Sequence, residues 1–281
     1  MRSINKDRSG APPPAPEPLP APVPDSHTHL DLQDGCDTPE GVAAALAAAS
    51  AVGVDRVVQV GIDVPSSRWT AEVAAEHPGV VATVALHPNE APRLDDLDGA
   101  LAEIDKLAAL EWVRGIGETG LDYFRTDETG RDSQHASFRA HIEIAKRHRK
   151  ALVIHDRDAH ADILRVLDEE GPPEHVVLHC FSGDAGFARQ CARRGYLMSF
   201  AGTVTFKNAV GVQEAARIAP RELILVETDA PFLTPMPYRG RPNAPYLIPL
   251  TVRFLAELRG EDVAELCAVI SATADRAFGP W

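Results

Sequence analysis

Short apolar runs rich in β-branched residues recur along the chain, separated by stretches with helical character. They fall at 56–62, 80–86, 113–117, 151–155, 175–180, 196–201 and 223–228, and an eighth ends at Asp25-Ser26-His27. Each is nearly continuous in its apolar character, the pattern of a strand buried on both faces. Between them, Thr38 and Pro39 supply an N-cap and a first-position proline for a helix that stops at Gly53. Further helices are predicted over roughly 131–150, 157–170 and 184–194, and another over 261–279. Strands alternating with helices form βαβ units and a parallel sheet. Eight such units within 25–281 predict a closed (β/α)8 barrel of α/β class. An open doubly wound sheet that bound a dinucleotide would carry a GxGxxG turn after its first strand, and the chain has none.

A proline-rich N-terminal extension, 1–24, precedes the barrel domain. Eight of the 23 prolines lie in 11–24, APPPAPEPLPAPVP, so this lead-in is expected to be extended, polyproline-like or disordered. It is either a dispensable tail or a recognition segment for a protein partner.

Composition narrows the function classes. The chain has 281 residues, 44% of them hydrophobic, which is ample material for one large core. Its 28 Lys and Arg against 41 Asp and Glu give a net charge of −13. That charge disfavours a long phosphate-gripping footprint on nucleic acid. Cys36, Cys180, Cys191 and Cys267 show no CxxC spacing, so a disulfide scaffold is not expected and a reducing cytoplasmic location is. No run is long and apolar enough for a membrane span, and 1–24 lacks a secretory apolar core.

The chemistry-bearing residues sit at the ends of the apolar runs. His27 and His29 lie in DSHTHL, Glu118 in RGIGETG, His155 in ALVIHDRD, His179 in VVLHCFSG and Asp229 in LILVETDAP. In a barrel, strand C-termini share one mouth, so these positions converge. His27 and His29, two apart on an extended segment, face the same way. An HxH pair alone is often structural, as is any single strand-end histidine; a lone turn glutamate is often surface. Six such positions on five strands argue for metal. Four imidazoles and two carboxylates suit magnesium, zinc or manganese better than a soft-metal site. Cys180, beside His179, is expected to turn away from the mouth by strand alternation.

These residues, with VALHPNE, GIGETGLDYF, SFAGTVTFKNA, ETDAPFLTP and YRGRPNAPYLIP, resemble the TatD family of metal-dependent hydrolases over 25–281. The resemblance implies a TIM-type barrel holding two divalent ions. His27, His29 and Asp229 would take one ion, His155 and His179 the other, and Glu118 would bridge. His87 would contact substrate or leaving group. It further implies a deoxyribonuclease removing nucleotides from 3′ ends, with single-stranded DNA as substrate and Asp229 taking the proton of the attacking water. Arg157, Lys207, Arg239 and Arg241 are the candidate phosphate contacts, to be weighed against surface charge or a structural ion pair. Two alternatives stand: hydrolysis of another ester or amide, such as an aminoacyl-tRNA, and a non-catalytic metal-binding scaffold. Where the family often reads Arg-Asn-Glu-Pro, this chain has Ala244 in place of the glutamate.

Overall fold

A computed structural model describes residues 10–279 and 281. Eight parallel strands follow one another around a barrel in chain order. They are β1 (Asp25–Thr28), β2 (Val57–Val60), β3 (Val80–Val84), β4 (Val113–Asp122), β5 (Ala151–Arg157), β6 (Val176–Leu178), β7 (Leu197–Phe200) and β8 (Ile224–Val226). The outer helices are α1 (Pro39–Ser50), α2 (Val64–Glu76), α3 (Leu97–Ala108), α4 (Glu128–His148), α5 (His160–Glu170), α6 (Ala185–Arg193), α7 (Val210–Ile218) and α8 (Ile248–Arg259). A final helix, α9 (Val263–Phe278), follows α8. The eight-strand barrel expectation holds. Sequence reading had not singled out α2, α3, α7 or α8, although Asp63 and Asp96 cap the first two through Ser66 and Gly99 backbone N–H groups.

The barrel closes just beyond β8. Asp229 N–H donates to the His27 carbonyl at 2.9 Å and His29 N–H to the Ala230 carbonyl at 2.8 Å. Strand alternation then sorts the core. Val57, Ile154, Leu178 and Val226 join the layer between strands and helices. Their neighbours Val58, Val153, Val177 and Leu225 join an inner cluster with Ala277 and Phe278 of α9, so α9 packs against the barrel interior.

Residues 10–24 form neither helix nor strand. Leu19 and Val23 are buried in the outer core, and their N–H groups donate to the carbonyls of Val52 and Gly53, each at 3.0 Å. Gly53, at φ 87°, leaves room for this approach: a Cβ there would stand 3.1 Å from Leu19 Cβ. Residues 1–9 of the extension lie outside the described residues.

Candidate metal centre

Period-two alternation delivers most of the site. Val177 continues to His179, Val153 to His155, and Leu225 to Glu227 and then Asp229, all on the inward side. Glu118 breaks this rule. Ile116 belongs to the outer layer, so a regular strand would send Glu118 outward as well. The β4–β5 register instead pairs Ile116 with Leu152 and Thr119 with Ile154, one residue too many on β4. This bulge turns the Glu118 carboxylate into the barrel. Gly117 permits it, because a Cβ there would overlap the Val153 backbone at 2.5 Å. The expectation that Glu118 sits at the end of the run 113–117 is corrected: it lies within a ten-residue strand.

Glu118 is the hub. Its Oε2 lies 3.4 Å from His27 Nε2 and 3.7 Å from His29 Nε2. Those two nitrogens are 3.2 Å apart, and Asp229 Oδ1 stands 3.8 and 3.5 Å from them. Ligand bonds of 2.0–2.2 Å in a tetrahedron give donor–donor edges of about 3.4 Å. These four donors therefore already stand at the spacing of one dication. The other oxygen, Oε1, is 2.8 Å from His155 Nδ1, 3.3 Å from His179 Nε2 and 3.1 Å from His87 Nε2.

Partners outside the cluster assign the tautomers. A neutral imidazole has one donor and one acceptor nitrogen. His29 Nδ1 faces the Val60 carbonyl at 3.2 Å, His155 Nε2 faces Asp122 Oδ2 at 3.2 Å, and His179 Nδ1 faces Glu227 Oε1 at 3.0 Å. Each of these nitrogens must carry the proton, so each ring turns a lone pair toward Glu118. His87 is the reverse. Its Nδ1 accepts from the Asn89 N–H at 3.0 Å, so its Nε2–H donates to Glu118. A neutral His87 is thus a hydrogen-bond partner of the central carboxylate rather than an ion ligand, although a grouping of ligand types there includes it with Glu118 and His155.

Lone pairs facing carboxylates at these distances need a cation or a shared proton between them. No Lys or Arg forms an ion pair with Glu118 or Asp229 among the described residues. In His27, Nδ1 is buried and has no hydrogen-bond partner among the described residues. The donor set therefore fits divalent metal, and without it protons take up the role. Burial pushes the His29 pKa down, but its hydrogen bond to Asp229 and the charges of Asp229 and Glu118 outweigh this and raise it to about 9. His179 rises well above its ordinary value, as the charges of Glu227 and Glu118 overcome burial. Burial opposes ionisation of Glu118 and Asp229 too, yet the facing histidines hold both carboxyls below their usual range. Burial lowers His27, which stacks on His179 with ring centroids 3.8 Å apart.

The site opens into a cavity of about 330 Å³. Arg157 lines it, its guanidinium stacked 4.0 Å over the Phe124 ring and in no ion pair among the described residues. Arg125 and Phe232 line it too, unforeseen from sequence. Cys180 also lines it, against the expectation that alternation would turn it away. β6 ends at Leu178, and Cys180 adopts φ 43°, which breaks the alternation. Lys207 and Arg239 come together elsewhere, in a separate concavity with Phe206, where Arg239 stacks 4.3 Å over the ring. Arg241 is committed to the carbonyls of Ala11 and Pro12, which removes it from the phosphate contacts. Sequence reading missed Asp122, Glu227 and Asn89, which hold the ligands from behind. Glu227 was findable, since it lies two residues before Asp229 on the same strand face.

Comparison with known proteins agrees with this geometry. Residues 24–279 match the family described as TatD related DNase. The uncharacterized metal-dependent hydrolase TatD of Mycobacterium tuberculosis is 44% identical over 258 residues, spanning 90% of this chain and 97% of its own. The uncharacterized metal-dependent hydrolase YabD of Bacillus subtilis is 38% identical over 255 residues, spanning 90% and 97%. The crystal structure of YJJV, a TatD homologue from Escherichia coli, superposes with a TM-score of 0.85 at 24% identity, covering 91% of this chain and 97% of that one. Matched along nearly its whole barrel, and with a donor set fit for dications, the chain belongs to the TatD family of metal-dependent hydrolases.

Proposed function

We propose that this protein is a deoxyribonuclease that hydrolyses phosphodiesters at the 3′ ends of single-stranded DNA on two divalent ions. His27, His29 and Asp229 would hold one ion, His155 and His179 the other, and Glu118 would serve both. Such ions, as magnesium, manganese or zinc, polarise a phosphoryl oxygen and lower the pKa of a water. The protein's own groups do the rest. Asp229, whose side chain keeps 14% of its surface exposed, is the carboxylate in reach of an incoming water and takes its proton. Glu118, at 6%, stays behind the ligands, with His87 fixing its second oxygen. Arg157 and Arg125 receive the phosphates next to the scissile bond.

The observation that carries this reading is a set of cations at the mouth that lack acidic partners. Carboxylates outnumber cations in this chain by 41 to 28, and about half of the described arginines pair with an Asp or Glu. Arg125, Arg157, Lys207 and Arg239 are shown with none among the described residues, and all four lie on loops or strand ends at the barrel's C-terminal face. Cations kept free at a mouth suit a polyanion, and their number suits a short grip on a strand end.

The test is digestion of a 5′-labelled single-stranded oligonucleotide with magnesium or manganese, beside a small carboxyl ester and an aminoacyl-tRNA. The expected result is a ladder shortened from the 3′ end, abolished by Glu118→Ala and by Asp229→Ala. Turnover of the ester or the aminoacyl-tRNA with intact DNA would overturn the nuclease reading while leaving the metal centre in place.

A further inference from the structure

We propose that residues 11–18 are a built-in polyproline ligand for the loop that carries Asp229. In this view Arg241 and Tyr246 are positioning residues for the metal centre because they grip that segment. The inference rests on the metal-centre reading and not on the choice of substrate.

The recognition is one-sided in chemistry. A proline-rich segment has few N–H groups and offers carbonyl acceptors. The barrel meets it with side-chain donors. Arg241 donates to the Ala11 carbonyl through Nε at 2.9 Å and Nη2 at 2.6 Å, and to the Pro12 carbonyl at 2.9 Å. Tyr246 Oη donates to the Pro13 carbonyl at 2.7 Å, and Arg253 Nη2 to the Pro18 carbonyl at 2.9 Å. Arg241 also lies over the Tyr238 ring at 5.2 Å. Side-chain donors facing the carbonyls of a stiff proline segment belong to a recurring mode of proline-rich recognition, here used within one chain.

Two of the gripping residues belong to the β8–α8 loop, which leads back to the ion. Thr234 Oγ1 donates to the Arg241 carbonyl at 2.5 Å. Two residues after Arg241, Asn243 Nδ2 donates to the carbonyls of Thr228, at 2.9 Å, and of Phe232. Phe232 N–H in turn donates to the Asp229 carbonyl at 2.7 Å. Asp229 is therefore bracketed by carbonyls that Asn243 ties together. Asp229 itself sits at φ 51°, a backbone conformation that its surroundings must hold. Fastening residues 241–246 to the extension removes freedom from the loop that does so.

The packing role and the gripping role are separable along the segment. Leu19 and Val23 are the core anchors, buried with their N–H groups paired to Val52 and Gly53. Residues 11–18 lie ahead of those anchors and meet the loop chiefly through carbonyls. A truncation lacking residues 2–17 keeps both anchors and removes most of the grip.

The experiment is calorimetric titration with manganese of three proteins: the full chain, the truncation, and a full-length Arg241→Gln/Tyr246→Phe double variant. Far-ultraviolet circular dichroism and melting temperature are read alongside. Supports of metal ligands change affinity 10–100-fold, so manganese binding about tenfold weaker is expected in both altered forms, with the helical signal retained. A synthetic peptide of residues 10–18, added to the truncation, restores the affinity. Unchanged manganese affinity in the double variant overturns the proposal, whatever happens to the melting temperature. A loss in the truncation that the peptide cannot reverse overturns it too. A full chain that binds no manganese would instead sink the metal-centre reading, and this inference with it.

Discussion

Glu227 Oε1 stands 3.0 Å from His179 Nδ1 and also accepts the Cys180 N–H at 2.8 Å. One carboxylate oxygen thus fixes both the tautomer of a candidate metal ligand and the backbone that follows it. Glu227→Ala should weaken dication binding about 10–100-fold while the barrel stays folded, because outer partners of ligating histidines typically count for that much. Asp122→Ala should act similarly through His155, whose Nε2 it faces at 3.2 Å. Titration with zinc or manganese checks both, and wild-type affinity in either variant would contradict the assigned tautomers.

Removal of metal should lower thermal stability. Clustered histidines and carboxylates that a dication would neutralise must share protons instead. A ligand at 100 times its Kd adds about 2.7 kcal/mol to the folded state, which for a protein of this size is on the order of 5 °C in Tm. A melting scan with chelator, followed by metal repletion, measures it. A Tm indifferent to both treatments would mean that this cluster holds no ion.

His141 makes stability sensitive to acid. It is fully buried, accepts the Leu86 N–H at Nε2 and faces the Ser137 carbonyl through Nδ1, so both ring nitrogens are used in the neutral form. Burial lowers its pKa from 6.5 to about 4. Between those values the unfolded chain takes a proton that the folded chain refuses. Stability is therefore fully present above pH 6.5 and falls as pH drops toward 4, by about 3 kcal/mol from this group. Denaturant unfolding across that range, at fixed manganese, should show a shallower pH slope for His141→Gln than for the parent protein.

Arg157→Ala should weaken single-stranded DNA binding and lower the slope of log affinity against log salt by about 1, the signature of one lost phosphate contact. Removing the Arg157–Phe124 stack without a change in that slope would assign the pair a packing role instead. Fluorescence anisotropy at several salt concentrations separates the two outcomes.

The sequence made the barrel legible through its apolar runs, and the ligand set through parity. Val153 and His155, or Leu225 and Asp229, share a strand face that two-residue steps predict. Parity failed where the backbone departs from a plain strand. The bulge before Thr119 reverses Glu118, and the left-handed Cys180 brings a thiol into the mouth. No local pattern encodes a register with a neighbour far away in the chain. The outer partners were hidden for another reason: Asp122 and Asn89 meet at 2.9 Å only because β4 and the β3–α3 loop are adjacent in space. The proline run announced an extended segment, but the surface it lies on belongs to residues 241–253 and 52–53, which composition cannot select.

The seam between β1 and the residues after β8 joins ligands from the two ends of the fold. His27 emerges from the ribosome early and Asp229 late, yet the two are hydrogen-bonded neighbours through Asp229 N–H and the His27 carbonyl. A partly synthesised chain therefore carries loose histidines but no finished pocket. The proposed ion site needs both residues, so it is complete only once the chain has been made past Asp229 and the barrel has closed.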